Sequence, residues 1–175
     1  MNIALVSCGP SASAFSEIDH EGPVIAVSRQ GTKVRSDILA CFDLPVMLNI
    51  TDAIIGTPKL FTIRATLESL QRRQSRWYST ALMPAEAHCC PVERWTLFTA
   101  PACLVLAAEL GATTIHPYGV DMTGDGDSTG GTKGNPDVVR TEARWARERG
   151  IWEQIVDWLK GKGVEVRRAA CQPIS

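Results

Sequence analysis

Short apolar runs recur along the chain at intervals that suit the strands of a sheet. The runs are residues 2–7, 24–28, 38–42, 60–63, 113–118 and 164–166. The first three are continuous rather than alternating, which is the pattern of strands covered on both faces in a parallel sheet. The sequence therefore predicts a sheet that is largely buried.

Three segments between these runs have the composition and spacing of helices. They are residues 65–76, 99–110 and 138–160. In the second, Thr99 suits the N-cap, Pro101 the first turn and Gly111 the C-cap, and apolar residues on nearly all sides predict that this helix is buried. Because strands alternate with helices, the sequence predicts an α/β fold with a mainly parallel sheet and right-handed crossovers.

The length of 175 residues fits one domain, which we predict to span residues 1–175. Hydrophobic residues make up 45% of the chain and charged residues 21%, as in globular domains, which excludes a disordered or coiled-coil chain. Within the domain we predict an irregular insertion at about 77–94, a flexible loop rich in Gly and Asp at 123–137, and a C-terminal helix and strand within 138–168.

Charge and hydropathy narrow the class of partner. The 18 Lys and Arg residues nearly balance the 19 Asp and Glu residues, so we expect a small molecule or a protein as partner and no nucleic acid. No apolar run reaches the roughly 18 residues of a membrane span, and no basic stretch precedes an apolar signal region. We therefore expect a cytoplasmic protein without membrane contact, whose six cysteines are free thiols.

The turn after the first apolar run carries small residues that suit phosphate binding. In the sequence Cys8-Gly9-Pro10-Ser11, a small-residue turn leaves backbone N–H groups open to an anion. Ser11 or Ser13 can add a hydroxyl at the start of a helical segment, where the helix dipole favours negative charge. The alternative is that the Gly-Pro sequence is only a turn, because the chain has neither GxGxxG nor GxxxxGK[ST].

Two aspartates, Asp43 and Asp121, directly follow apolar runs. Open α/β sheets bind ligands beyond the carboxyl ends of their strands, so both carboxylates are candidates for a ligand site. A carboxylate there can bind a ribose hydroxyl or a hard cation beside phosphate. The alternative for each is that it caps a helix or a loop.

The Gly-rich segment after Asp121 holds two further carboxylates, Asp125 and Asp127. Many sugar transferases use this Asp-x-Asp spacing to hold a divalent metal against a nucleotide diphosphate, although so short a string also arises by chance. We therefore expect Mg²⁺ or Mn²⁺ as a cofactor, with Asp121 as metal ligand and all three aspartates as catalytic candidates. A calcium loop is excluded because its twelfth position is Thr132 instead of Glu.

Three arginines share one face of the last predicted helix, namely Arg140, Arg144 and Arg147. They could clamp phosphates from that face. The alternative is a solvated face on which they pair with Glu148 and its neighbours.

The order of these features resembles a Rossmann-like superfamily. Its members include the archaeal 6-hydroxymethylpterin pyrophosphokinase-like proteins, related bacterial and phage proteins, and the sialyltransferases of glycosyltransferase family 42. The matching residues are Gly9-Pro10-Ser11, 24–28, Asp43, 99–112 and 119–122. The resemblance implies a Rossmann-like three-layer α/β/α domain.

The resemblance also implies a nucleotide site at the strand ends. Gly9-Pro10-Ser11 would face phosphate or ribose, and Ser28 would contact the nucleotide. Thr99 would lie at the mouth of the buried helix, and Asp121 would bind metal or substrate. Taken together, the nucleotide-binding candidates are Gly9, Pro10, Ser11, Ser13, Ser28, Asp43, Thr99 and Gly119.

We therefore expect a protein that binds a nucleotide or nucleotide sugar and transfers a glycosyl or pyrophosphoryl group. The first alternative is a non-catalytic binding module, because Ser28 and Pro101 stand where the family usually has Asn and Gly, and Pro lacks an N–H donor. The second is a protein-interaction module that assembles, as a homo-oligomer, through the tryptophans of the last helix. Those residues are Trp145, Trp152 and Trp158.

Overall fold

One parallel sheet organises the protein. The computed structural model describes residues 1–73, 93–123 and 141–167. Its strands are β1 (Asn2–Val6), β2 (Val24–Val27), β3 (Ile38–Ala40), β4 (Lys59–Phe61), β5 (Thr114–Tyr118) and β6 (Glu165–Val166). They lie in the order β4-β3-β2-β1-β5-β6, and every neighbouring pair is parallel. Five of the six apolar runs contain one of these strands, and run 60–63 overlaps β4, which begins one residue earlier at Lys59. The predicted parallel sheet is therefore confirmed.

Four α-helices connect the strands within the described residues. They are α1 (Leu44–Ile50), α2 (Arg64–Arg72), α3 (Thr99–Glu109) and α4 (Glu142–Gly161). Helix α1 is not predicted from its sequence, although Asp43 at its N-cap and Pro45 in its first turn are typical signals of a helix start. The predicted N-cap of α3 is wrong by one residue, because Phe98 holds that position and Thr99 is already helical.

The sheet is covered on both faces, which makes the domain three-layered as predicted. One face packs against α3 and α4, which bury Ile3 and Leu5 of β1. The opposite face is covered at β3 and β4 by α1 and α2, and at β1 by the connection between β1 and β2, where Phe15 packs against Ala4 and Val6. Alternate residues of β1 thus enter two different hydrophobic clusters, as expected of a central strand.

Helix α3 is buried along most of its length, from Ala100 to Ala107. The sheet covers one side of it, and α4 together with a short 3-10 segment (Glu93–Leu97) covers the other. A helix that is apolar all round needs such cover on every side, so the predicted burial is confirmed.

The tryptophans of α4 pack within the chain. Trp145 and Trp152 are buried, and Trp158 makes an edge-to-face contact with Trp95, with ring centroids 5.4 Å apart. Two of the three residues expected to form an assembly surface therefore belong to the core. Because these two side chains are buried within the chain, they do not form an assembly surface. The homo-oligomer stays a prediction.

The helices of residues 1–73, 93–123 and 141–167 are too short or too polar for any of them to cross a lipid bilayer.

The strand order places a reversal of direction between β1 and β5. From β1 the chain builds β2, β3 and β4 on one side, and it then crosses to β5 on the other side of β1. In open α/β sheets the connections leave to opposite faces at such a point and open a crevice at the carboxyl ends of the strands. The residues that follow β1 and β5 therefore border the expected ligand crevice.

A prediction about pH follows from His116 on β5. Burial, followed by the nearby charges of His20 and Arg167, lowers the pKa of His116 below its ordinary value of 6.5, and Glu165 offsets part of this effect. As the pH falls, His116 therefore binds a proton at a higher pH in the unfolded chain than in the folded protein. We expect the free energy of unfolding to hold above about pH 6.5 and to decline below it.

Urea unfolding of the wild type and of His116→Gln between pH 5 and pH 8 measures this effect. The slope of stability against pH below 6.5 should be smaller in the variant. His20→Gln serves as the comparison, because the rings of His20 and His116 lie 6.2 Å apart. An unchanged slope in His116→Gln would show that other groups control the acid response.

Candidate functional site

Hydrogen bonds join the chain beyond the ends of β1 and β5. The Ser7 N–H donates to the Tyr118 carbonyl at 2.8 Å, and the Gly9 N–H donates to the Gly119 carbonyl at 2.7 Å. The Gly119 N–H then donates to Ser11 Oγ at 2.9 Å, and the Ser11 N–H donates to Asp121 Oδ2 at 2.9 Å. Ser11 is thus bonded to the end of β5 through both its main chain and its side chain.

This bonding changes what the Gly-Pro-Ser turn can offer to an anion. The N–H groups of Gly9 and Ser11 are used as described, the Ala12 N–H donates to the Gly9 carbonyl at 3.0 Å, and Pro10 has no N–H. The Ser13 hydroxyl donates to the Pro10 carbonyl at 3.1 Å. The Asp121 carboxylate therefore occupies the start of the 3-10 segment Pro10–Ala14, where we expected a phosphate.

Two glycines permit this close approach of the strand ends. A Cβ atom at Gly9 would lie 2.3 Å from Asp121 Oδ2 and 2.6 Å from the Gly119 carbonyl oxygen. Gly119 has a φ of +67°, and a Cβ there would lie 2.2 Å from the Ser7 carbonyl oxygen. The sequence suggested Gly9 as a place for a phosphate to approach the backbone, and in the structure it is the protein's own carboxylate that approaches.

A small, partly enclosed cleft of about 20 Å³ lies at the point where the strand order reverses. Helices α3 and α4 form one side of this cleft, and the residues after β5 form the other. Its lining residues are Ser7, Gly9, Ala100, Gly119, Val120, Asp121, Met122, Thr123, Trp145 and Glu148. Of the predicted site residues, Gly9, Gly119 and Asp121 thus line one cleft, and Ser11 is bonded to two of them.

Glu148 is a cleft residue that the sequence suggested only as a possible partner of the arginines on a solvated face. Its residue surface is only 8% exposed, and it lines the cleft together with Trp145, three positions earlier on α4. The signal that could have located it is the helical spacing of Trp145, Glu148 and Trp152, which puts the carboxylate on the same face as two buried indoles.

Arg149 is the second residue of α4 that the sequence analysis missed. Its Nη1 donates to the Met122 carbonyl at 2.9 Å, and its Nη2 pairs with Glu142. The arginines predicted to clamp phosphate are placed differently: Arg144 lies over the Phe98 ring, 5.7 Å from its centroid, and Arg147 is exposed. Arg140 lies outside the described residues.

Backbone strain is found at the same edge of the sheet. Among the described residues other than glycine, Ser28 and Met122 have positive φ values, of 52° and 50°. Both follow strands at their carboxyl ends. Such conformations cost about 1–3 kcal/mol each and are frequent at functional sites.

Ser28 belongs to a second polar cluster, at the ends of β2 and β3. The Cys41 thiol near it donates to the Asp43 carbonyl at 3.6 Å, and burial, together with the charge of Asp43, raises the pKa of that thiol to about 12. Cys41 is therefore a neutral core residue at ordinary pH. Neither Ser28 nor Asp43 lines the cleft, and Asp43 occupies the N-cap of α1 without a side-chain capping bond.

Thr99 begins α3 beside the cleft, which is lined there by its neighbour Ala100. The nucleotide-binding roles suggested for Thr99, Ser28 and Asp43 stay predictions, and none of these three residues lines the cleft.

The described residues do not by themselves form a divalent-cation site. Within residues 1–73, 93–123 and 141–167, no group of three or more His, Cys, Asp or Glu side chains is arranged to hold a metal. Asp125 and Asp127, which the sequence suggested as partners of Asp121, lie outside the described residues. Asp121 itself already accepts the Ser11 N–H.

Comparison with known proteins supports the fold. No protein-family model and no curated protein matches the sequence. Among solved structures, the sialyltransferase CstII from Campylobacter jejuni, in complex with the substrate analogue CMP-3FNeuAc, is similar with a TM-score of 0.58. The similarity covers 95% of this chain and 79% of that chain, at 10% sequence identity. It shows a shared α/β fold, and it lends no support to the features particular to the pyrophosphokinase-like proteins.

The contact between Gly9 and Asp121 predicts the effect of adding one methyl group. Gly9→Ala places its Cβ against Asp121 Oδ2 and the Gly119 carbonyl, so we expect the free energy of unfolding to fall by about 1–3 kcal/mol. Gly150→Ala is the matched control, because a Cβ at that position in α4 meets nothing within 4 Å. It should instead raise stability by about 0.5–1 kcal/mol.

Both variants are compared with the wild type by urea denaturation. Equal stabilities of Gly9→Ala and the wild type would mean that the ends of β1 and β5 are not packed as closely as the structure has them.

Proposed function

We propose that the protein binds a nucleotide or nucleotide sugar in the cleft between the ends of β1 and β5 and acts as a glycosyltransferase-like enzyme. The observation that carries the proposal is the position of the cleft, at the reversal of strand order, with Asp121 and Glu148 in its wall. The structurally similar sialyltransferase was solved with a CMP-linked substrate analogue, which supports a nucleotide sugar as the ligand class.

The chemistry of the cleft suggests how such a ligand would lie. Ionised carboxylates only accept hydrogen bonds, so Asp121 and Glu148 suit the hydroxyl groups of a ribose or of a transferred sugar. Trp145 adds an aromatic surface to the same wall. The donor-rich part of the ligand would therefore face these residues, and the phosphate would lie away from the Gly-Pro-Ser turn, whose N–H groups are already used.

Glu148 is our candidate for the proton acceptor in the transfer step. A general base must lie within hydrogen-bonding reach of the hydroxyl that attacks, and a buried carboxylate in the cleft wall is suitably placed for that role. In this proposal Asp121 positions the ligand, because its Oδ2 is fixed by the Ser11 N–H.

The proposal for a divalent cation rests on the sequence alone. Because the donors of the described residues do not complete a site, no step of the transfer is assigned to a metal here. Mg²⁺ or Mn²⁺ would depend on Asp125 and Asp127 together with Asp121, and ligand titrations with and without each metal test that dependence.

The second candidate is a binding module without catalysis. It is favoured by the bond between Ser11 and Asp121, which uses the N–H group that would otherwise bind a phosphate. In that case the cleft would hold a nucleotide without promoting its reaction. Pyrophosphoryl transfer, which the sequence left open, has no support beyond the resemblance.

Calorimetry with CMP, UDP, GDP and ATP, and with CMP and UDP sugars, tests the binding proposal. We expect at least one of these ligands to bind, and a ligand at 100 times its Kd should raise the free energy of unfolding by roughly 2.7 kcal/mol. Asp121→Asn keeps an oxygen for the Ser11 N–H but removes the charge, so it should weaken binding about tenfold. Asp157→Asn, at an exposed position of α4, is the control and should leave binding unchanged.

Turnover of the bound nucleotide sugar separates the two candidates. Glu148→Gln should retain binding and lose about 99% or more of the turnover, since a general base typically contributes at least about a hundredfold. Binding with no turnover in the wild type favours the non-catalytic module, and no binding of any ligand in the panel contradicts the proposal as a whole.

A further inference from the structure

Arg149 lies beside the proposed nucleotide site on the same side of α4 as its lining residues. Trp145 and Glu148 line the cleft, and Arg149 follows Trp145 by four positions, which is about one helical turn. Its Nη1 donates to the carbonyl of Met122, which is itself a cleft residue. The guanidinium is thus held at the margin of the cleft, with its side chain 35% exposed.

A phosphate in this cleft needs a positive partner. The carboxylates of Asp121 and Glu148 repel an anion, and the N–H groups of residues 9–12 are used within the protein or, at Pro10, missing. Arg144 lies over an aromatic ring and Arg147 is exposed on another side of the helix. Of these three arginines, Arg149 is the one whose guanidinium touches a residue that lines the cleft.

We propose that Arg149 binds the phosphate of the nucleotide and that Glu142 holds the guanidinium when no ligand is present. This inference rests on the proposed function and adds to it the residue that recognises the phosphate. On binding, Nη2 exchanges the Glu142 carboxylate for a phosphate oxygen, while Nη1 keeps its bond to the Met122 carbonyl. A guanidinium has five N–H donors in a planar fork, so it can make both contacts at once.

The two groups that Arg149 contacts, Glu142 and the Met122 carbonyl, differ in solvent exposure in a way that favours this exchange. The Glu142 side chain is 75% exposed, and ion pairs at exposed positions contribute little to stability. The bond to Met122 is part-buried, and its acceptor is fixed in a left-handed conformation. The pair with Glu142 is therefore the weaker of the two contacts and the one that a phosphate can replace.

The test compares each nucleotide with its own nucleoside. Calorimetric titrations of CMP against cytidine, and of UDP against uridine, give the part of the affinity that comes from the phosphate. Because hydrogen bonds to charged groups contribute about 1.5–3 kcal/mol, we expect the nucleotide that binds to do so about ten- to a hundredfold more tightly than its nucleoside. Arg149→Gln should remove this difference and leave the affinity for the nucleoside unchanged.

Two further variants sharpen the test. Glu142→Gln should increase nucleotide affinity a few-fold, because it removes the competitor for the guanidinium, and it should not alter nucleoside affinity. Arg147→Gln, on the exposed side of the same helix, is the matched control for loss of an arginine and should change neither affinity. Circular dichroism checks that Arg149→Gln is folded; if it is not, the gain in Glu142→Gln still tests the exchange.

The possible failures are distinguishable. Equal weakening of nucleotide and nucleoside in Arg149→Gln would show that Arg149 only positions Met122, and this overturns the phosphate contact while leaving the proposed function in place. An unchanged nucleotide affinity in both Arg149→Gln and Glu142→Gln overturns it as well. If no nucleotide or nucleotide sugar of the panel binds to the wild type, the proposed function fails and this inference fails with it.

Discussion

The bond between the Ser11 N–H and the Asp121 carboxylate is the contact on which the geometry of the site depends. It joins two residues that are 110 positions apart in sequence, and it lies where the connections of the sheet diverge. Gly9 and Gly119 are required because any side chain there would collide with this arrangement. The same bond uses a backbone donor and holds a carboxylate at the turn, so one contact shapes the cleft and, with Glu148, makes its wall acidic.

The sheet could be predicted from sequence because burial on both faces leaves a direct pattern. Residues 24–27 and 38–40 are short continuous apolar runs with turn residues at both ends. Such runs are best explained as strands buried on both faces of a parallel sheet. Helix α3 was predictable for a similar reason, since its apolar residues on all sides require cover. Helix α1 was missed because seven residues give too short a period to recognise, even with Pro45 in its first turn.

The site was harder to predict because its properties depend on which side chains meet. A carboxylate after a strand can bind either a ligand or a backbone N–H group. Only the structure shows that Asp121 accepts the backbone N–H of Ser11. Ser28 follows its strand as predicted and has a left-handed backbone, but it lies near Cys41 and does not line the cleft. Glu148 and Arg149 stand among other charged residues of α4, and which of them face the cleft depends on how the helix is rotated against the sheet.

The segment from Gly119 to Met122 is fixed from two sides, which bears on how the cleft can bind a ligand. On the side of β1, Ser11 accepts the Gly119 N–H and donates to Asp121; on the side of α4, Arg149 donates to the Met122 carbonyl. A segment bonded at its start, middle and end loses little conformational freedom when a ligand arrives, so less of the interaction energy is spent on ordering it. Rigid positioning of this kind is what a site needs when few side chains contact the ligand. The positive φ of Met122 is therefore best understood as the conformation in which its carbonyl can reach α4 while Asp121 still reaches β1.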